Sequence, residues 1–275
     1  MRPIRPGAAR SLPGCLAALA CLAAGCEEPP PRPRVHVERL TSRQIANTMT
    51  DLTGHVSPSW SVLPGAEPGM PLTVSVVDAD ALRAGADEAA AAMAADLGKW
   101  APCAESEPPR SCASRVIERF GLLAYRTPVP PDARDDMLAL FEIVHAEQGY
   151  PRAVEALLSA LLQSPRTLYR VETEVEGADG KRRVDDFAIA SRLSYFVWDS
   201  APDRQLLQAA ARGDLRQPEE RAREAERMFR DARATRAFVT RVRDWLRADF
   251  SDITKDPALF PGFGPAAGSR MSAQI

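Results

Sequence analysis

Residues 150–165 read YPRAVEALLSALLQSP. Val154, Leu157, Leu158, Leu161 and Leu162 recur at steps of three and one, which gathers all five on one stripe of a helix. Ser164-Pro165 closes it, because the residue before a proline is turned out of helical geometry. This is the strongest apolar stripe in the chain, and a stripe that strong needs other helices to bury it. The surrounding sequence supplies them.

Upstream, Pro131 starts a helix at its first turn, carries Met137, Phe141 and Val144 inward, and stops near Gly149. Before it, Val116, Ile117, Phe120 and Leu123 mark a helix ended by Thr127-Pro128. From Asp78 a long Ala-rich helix runs with Leu82, Ala86, Ala89, Met93, Leu97 and Trp100 on one side. The first helix opens on a capping box, Thr41 with Gln44, and closes at Gly54. Pro58, Pro64, Pro68 and Pro71 make residues 55–72 a loop.

Downstream, residues 167–175 and 181–184 flank a GADG turn (residues 177–180), the one short β-hairpin expected. Asp185 can cap a helix with Ile189, Leu193 and Phe196. Pro202 opens a short helix ending at Gly213, and Pro218 opens a charged one through Phe229. A last helix puts Phe238, Val242 and Trp245 on one face. Strand–helix–strand alternation and a solenoid period are both missing, so the expected fold is all-α: a multi-helix bundle of small helical modules. The modules are expected at 39–100, 101–176 (with a Cys103–Cys112 loop) and 177–250, with a tail at 251–275.

Composition restricts what such a bundle can do. Of 275 residues, 45% are hydrophobic and 26% charged, which suits a folded globular chain. A net charge of −2 gives no electrostatic case for binding nucleic acid. Residues 1–25 read as a signal peptide: Arg2, Arg5 and Arg10, then an apolar run from Leu12 to Gly25 too short to span a bilayer. Ala23-Ala24-Gly25-Cys26 resembles a lipobox, so Cys26 is the expected lipidation site and a membrane the expected partner through that anchor. Cys15, after Leu12-Pro13-Gly14, and Cys21, after Leu19-Ala20, are the alternative sites. The following EEPPPRPR (residues 27–34) favours polyproline II, a stiff tether over residues 26–38. An exported chain meets oxidising conditions, so Cys103 and Cys112 are expected to form a disulfide, adding roughly 2–3 kcal/mol by closing a short loop.

Motifs for recognisable chemistry are scarce. Covalent haem needs CxxCH, and no two cysteines here have that spacing. His36, His55 and His145 are scattered and do not form a zinc-protease pair. GxSxG and the phosphate-cradling Gly-Lys loop do not occur. Asp135-Asp136 and Asp185-Asp186 each open a helix, where negative charge suits the helix dipole. Tyr195 and Trp198 sit at helical spacing and read as core. These residues assign no catalytic, cofactor or metal site.

Several segments carry a family resemblance. Arg39-Leu40-Thr41 through Asp51-Leu52-Thr53-Gly54 resembles one opening motif. Phe120-Gly121 through Tyr125-Arg126-Thr127-Pro128, and Leu157 through Gln163-Ser164-Pro165 with Leu168-Tyr169-Arg170, resemble two more. The most specific is SRLSYFVWDSAPD (residues 191–203), followed by Gly213-Asp214-Leu215 and Trp245-Leu246. In this order they resemble the planctomycete cytochrome c-associated family of exported proteins of unknown function, also frequent in myxobacteria. The resemblance implies an exported helical protein in an envelope redox system, whose c-type haem lies in a module downstream. This chain is expected to carry no cofactor and to stop short of that module at Ser269–Ile275. The expectation is a non-catalytic binding or scaffold part with an envelope redox protein as partner. The alternative is a hydrolase of envelope or extracellular polymers with a carboxylate site, and a third possibility is a non-functional remnant.

Overall fold

The computed structural model describes residues 34–61, 75–176, 180–246 and short stretches between 255 and 271. The signal peptide, Cys26, residues 26–33 of the tether, most of the proline loop, the tip of the hairpin and most of the tail lie outside the described residues.

The expected helices form, and the reasons for their ends are visible. Helix α1 (Ser42–Thr53) starts at the Thr41 capping box, where Thr41 Oγ1 accepts from the Gln44 N–H at 3.2 Å and Gln44 Oε1 accepts from the Thr41 N–H at 3.1 Å. Gly54 ends it with φ of 73°. Helix α2 (Pro58–Ser61) is a single turn in the expected loop. Helix α3 (Val76–Ala94) begins two residues before Asp78, because Ser75 caps it and Asp78 completes a second capping box. It breaks before Leu97 and Trp100, which belong to the separate turn α4 (Leu97–Trp100).

Helix α5 (Pro109–Tyr125) starts earlier than its apolar stripe suggests. Pro109 occupies its first turn, so Cys112 is a buried helical residue and not part of a loop. Cys103 and Cys112 are joined in a disulfide with Cα atoms 5.5 Å apart. Helix α6 (Pro131–Gln163) is two helices joined across a kink at Gly149, whose φ of 79° and ψ of 178° are not helical. Glycine adopts such a backbone without the Cβ clash that other residues suffer. The turn α7 (Pro165–Leu168) follows.

The hairpin is present and gains a partner. Strand β2 (Tyr169–Glu176) pairs antiparallel with β3 (Arg182–Val184) and, on its other side, with β1 (Arg34–Arg39). Residues 34–38, assigned above to the tether, are therefore strand. The valines of VHV alternate as a strand requires, but only pairing with a segment 130 to 140 residues away makes six residues hold that shape. The sheet's polarity is inverted: Val35, Val37 and Val171 face solvent, while Glu172 is buried against the next helix.

That helix is α8 (Asp186–Val197), capped by Asp185 as expected. Asp203, not Pro202, caps α9 (Arg204–Ala211). A 3-10 turn (Asp214–Arg216), α10 (Pro218–Phe229) and α11 (Ala232–Leu246) complete the order.

One apolar core serves both expected modules between residues 39 and 176. Ala86, Ala89 and Ala90 of α3 let α6 approach closely and bury Val154, Leu157, Leu158, Leu161 and Leu162. Trp60 lies flat on Gly85, where a Cβ would stand 2.2 Å from the indole nitrogen. A second core gathers Trp198, Leu206, Leu215 and Met228. Tyr195 of α8 belongs to the first core and Trp198, three residues on, to the second, so α8 joins the two. Among the described residues no helix is long and apolar enough to cross a membrane. Leu161→Ala should cost about 2–5 kcal/mol by removing buried contacts and leaving a cavity. Val35→Ala on the exposed sheet face should cost under about 0.5 kcal/mol, and urea unfolding distinguishes the two.

Candidate functional site

The cluster richest in chemistry begins at Arg126. Thr127-Pro128 stops α5, and Arg126 takes the left-handed C-cap with φ of 62°. That turn sends its side chain inward, where the residue is 3% exposed. Nη1 donates to the carbonyls of Ala124 (3.1 Å) and Thr167 (2.8 Å). Nη2 donates to those of Arg166 (2.8 Å) and Tyr169 (2.7 Å). The guanidinium also lies over the Tyr195 ring, whose hydroxyl bonds to Thr48 Oγ1 at 3.1 Å. Its partners are thus carbonyl dipoles and a π face.

Asp199 is the acidic counterpart. It ends α8 with φ of 55° and is buried. Arg43 Nε donates to Oδ2 at 2.6 Å, Gln44 Nε2 to Oδ1 at 3.2 Å, and Asn47 Nδ2 to its carbonyl at 3.1 Å. Arg43 also reaches Asp244 at 2.7 Å. Burial alone would lower the Arg43 pKa, but Asp199 and Asp244 outweigh it and hold the guanidinium above its usual value. Ser200 adds a bond to Asp51 at 2.7 Å.

Beside Asp199 lies an open groove of about 750 Å³. Ile189, Leu193 and Phe196 of α8 are its apolar part, and Arg43, Arg192, Arg221 and Arg241 stand around it. Arg192 is bonded to the buried Glu172. Burial would raise the Glu172 pKa, yet Arg192, Arg170 and His36 together hold it below 4.5. Arg221 donates to the carbonyls of Leu215 (2.8 Å) and Arg216 (3.0 Å). Arg241 donates to those of Tyr195 (2.8 Å) and Phe196.

Of the residues singled out from sequence, Tyr195 lines the groove, and the histidines and paired aspartates do not. His36 is on β1 opposite Glu172, His55 is 3.7 Å from Glu88, and His145 stacks on Phe141. Asp185 is a helix cap, Asp186 pairs with Arg216 at 2.8 Å, and Asp135 lies beside Arg134. Among the described residues the one close group of potential metal ligands is Cys103, Glu107 and Cys112. Its thiols are spent on the disulfide, and Arg115 pairs with Glu107 there. Cys103 and Cys112, nine positions apart and joined, do not fit covalent haem attachment. Arg126, Asp199, Arg43 and Arg192 were not anticipated. The only signal was their position inside the family-like segments.

Two outcomes are expected. Arg126→Lys should destabilise by about 1–3 kcal/mol in thermal unfolding, because a single ammonium cannot serve four divergent carbonyls. The Glu172 carboxyl binds its proton less readily folded than unfolded, so acid favours the unfolded chain. Its contribution should be complete above about pH 4.5 and be lost as pH falls through the lowered value. Glu172→Gln should flatten that acid limb in urea titrations from neutral to low pH.

Comparison with known proteins adds two segments. No curated protein and no solved structure matches the chain. The stretch Arg39–Gly54, part of the resemblance drawn from sequence, lies outside both matched segments. Residues 112–172 match the family model PSD5, a protein of unknown function (DUF1595), and residues 184–275 match PSD4, a protein of unknown function (DUF1592), both models of the planctomycete cytochrome c-associated family.

Proposed function

We propose that this chain is an exported protein, held at the cell envelope by lipid on Cys26, which acts as a non-catalytic binding or scaffold part of a c-type-cytochrome-associated redox system. The observation that carries the binding role is the groove over α8. It is open, part of its lining is apolar, and its arginines are oriented by fixed partners. Such a surface suits recognition of a partner more than turnover of a substrate. A carboxylate-based hydrolase would need a carboxyl free to exchange a proton within the groove. Asp199, the carboxylate lining it, is locked by Arg43 and Gln44.

The haem in this reading belongs to the partner or to a separate module, in keeping with the disulfide between Cys103 and Cys112. The tether reading is shortened to residues 26–33, because β1 begins at Arg34. In cells, palmitate labelling of the full chain should vanish with Cys26→Ser. The wild-type chain should co-purify with a protein that keeps its haem stain in a denaturing gel. Labelling that survives Cys26→Ser overturns the choice of anchor, and co-purification free of haem stain overturns the redox role.

A further inference from the structure

We infer that the groove between α8 and α11 is a docking site for an acidic peptide segment of another protein, with an apolar side chain flanked by carboxylates. This rests on the binding role proposed above and names the chemistry of the partner.

The first observation is the concentration of cations. A chain of net charge −2 places Arg43, Arg192, Arg221 and Arg241 around one concavity. The lining carboxylate, Asp199, has a side chain only 5% exposed and is turned toward α1. Arg221 is oriented by backbone carbonyls, which aim a guanidinium without neutralising it, while Arg241, held by the Tyr195 and Phe196 carbonyls, also stands 3.9 Å from the Asp199 carboxylate. A partner's carboxylates can therefore gain charge-assisted bonds there.

The second observation is apolar. Phe196 lines the groove and is 68% exposed, and Arg241 lies over its ring at 5.6 Å. On α11, Phe238 and Trp245 are 68% and 82% exposed. They stand three residues before and four after Arg241, hence on the same stripe of that helix. Aromatic and arginine side chains in alternation are the residue types that dominate binding energy at interfaces. A purely anionic ligand would leave the aromatic surface wet, and a flat membrane would not enter a groove. A short acidic segment bearing a Leu or Phe satisfies both halves.

The test uses the full chain and a fluorescein-labelled hexapeptide with two apolar residues between two acidic pairs. Its counterpart has every carboxylate replaced by an amide. Fluorescence anisotropy should show the acidic peptide binding at least about tenfold more tightly than the amide form. The difference should collapse between about 50 mM and about 500 mM salt. Phe196→Ala, a change at an exposed position, should weaken binding by about tenfold, near 1.4 kcal/mol. Arg241→Gln should do the same, and Val77→Ala on α3 should change nothing.

Equal binding of both peptides, no binding, or no response to Phe196→Ala overturns the proposal. So does phosphatidylglycerol-vesicle binding that depends on Phe196 and is not displaced by the peptide. A haem-staining partner still captured by the Phe196→Ala/Arg241→Gln chain overturns the groove and leaves the binding role standing. Peptide binding without a haem-staining partner supports the groove and removes the redox assignment.

Discussion

A buried guanidinium with carbonyls for partners is the constraint on which the rest of this molecule depends. Moving a full positive charge out of water is costly unless its donors find partners. Arg126 meets that demand by drawing together the end of α5, the turn α7 and the first residue of β2. None of those segments is long enough to fix its own position. Their carbonyls point at one plane, and the planar fork gives them a common geometry. Tyr195 then rests against that plane and bonds to Thr48, so α1 and α8 inherit their spacing from the same side chain.

The groove follows from this arrangement together with the grip of α1 on Asp199. Arg43, Gln44 and Asn47 all reach the backbone or carboxylate of one residue at the end of α8. On the same helix Ile189 and Leu193 are only partly covered by the second core, and Phe196 is exposed. An apolar strip of that kind costs solubility unless something uses it. The surrounding arginines keep it wettable and give it a sign.

Local signals were legible where the chemistry is local. The capping box at Thr41, the stops at Gly54 and Gly149, the hairpin and the cap at Asp185 can be read within four residues of sequence, and all are present. The disulfide could be read from thiol count and expected compartment. What could not be read depends on distant parts of the chain. Strand β1 needs β2 as its template, and nothing in RVHVER alone outweighs the prolines before it. Cys112 belongs to a helix because Pro109 starts one, although the nearby prolines suggest loop. Arg126 and Asp199 look like ordinary charged residues at helix ends. Their burial becomes visible only when carbonyls from residues 166–169 and side chains from α1 close over them.

The position of β1 has a mechanical consequence. Any pull on the chain ahead of Arg34 acts first on the pair Arg34–Glu174, at the open end of a six-pair antiparallel ladder. The load passes toward Arg39–Tyr169 and then to the bond from the Leu40 N–H to the Leu168 carbonyl, where the core begins. Traction would thus peel a short ribbon before it strained any helix, and the ribbon could re-form when tension fell. The N-terminal strand is a fuse between whatever holds the front of the chain and the folded mass behind it.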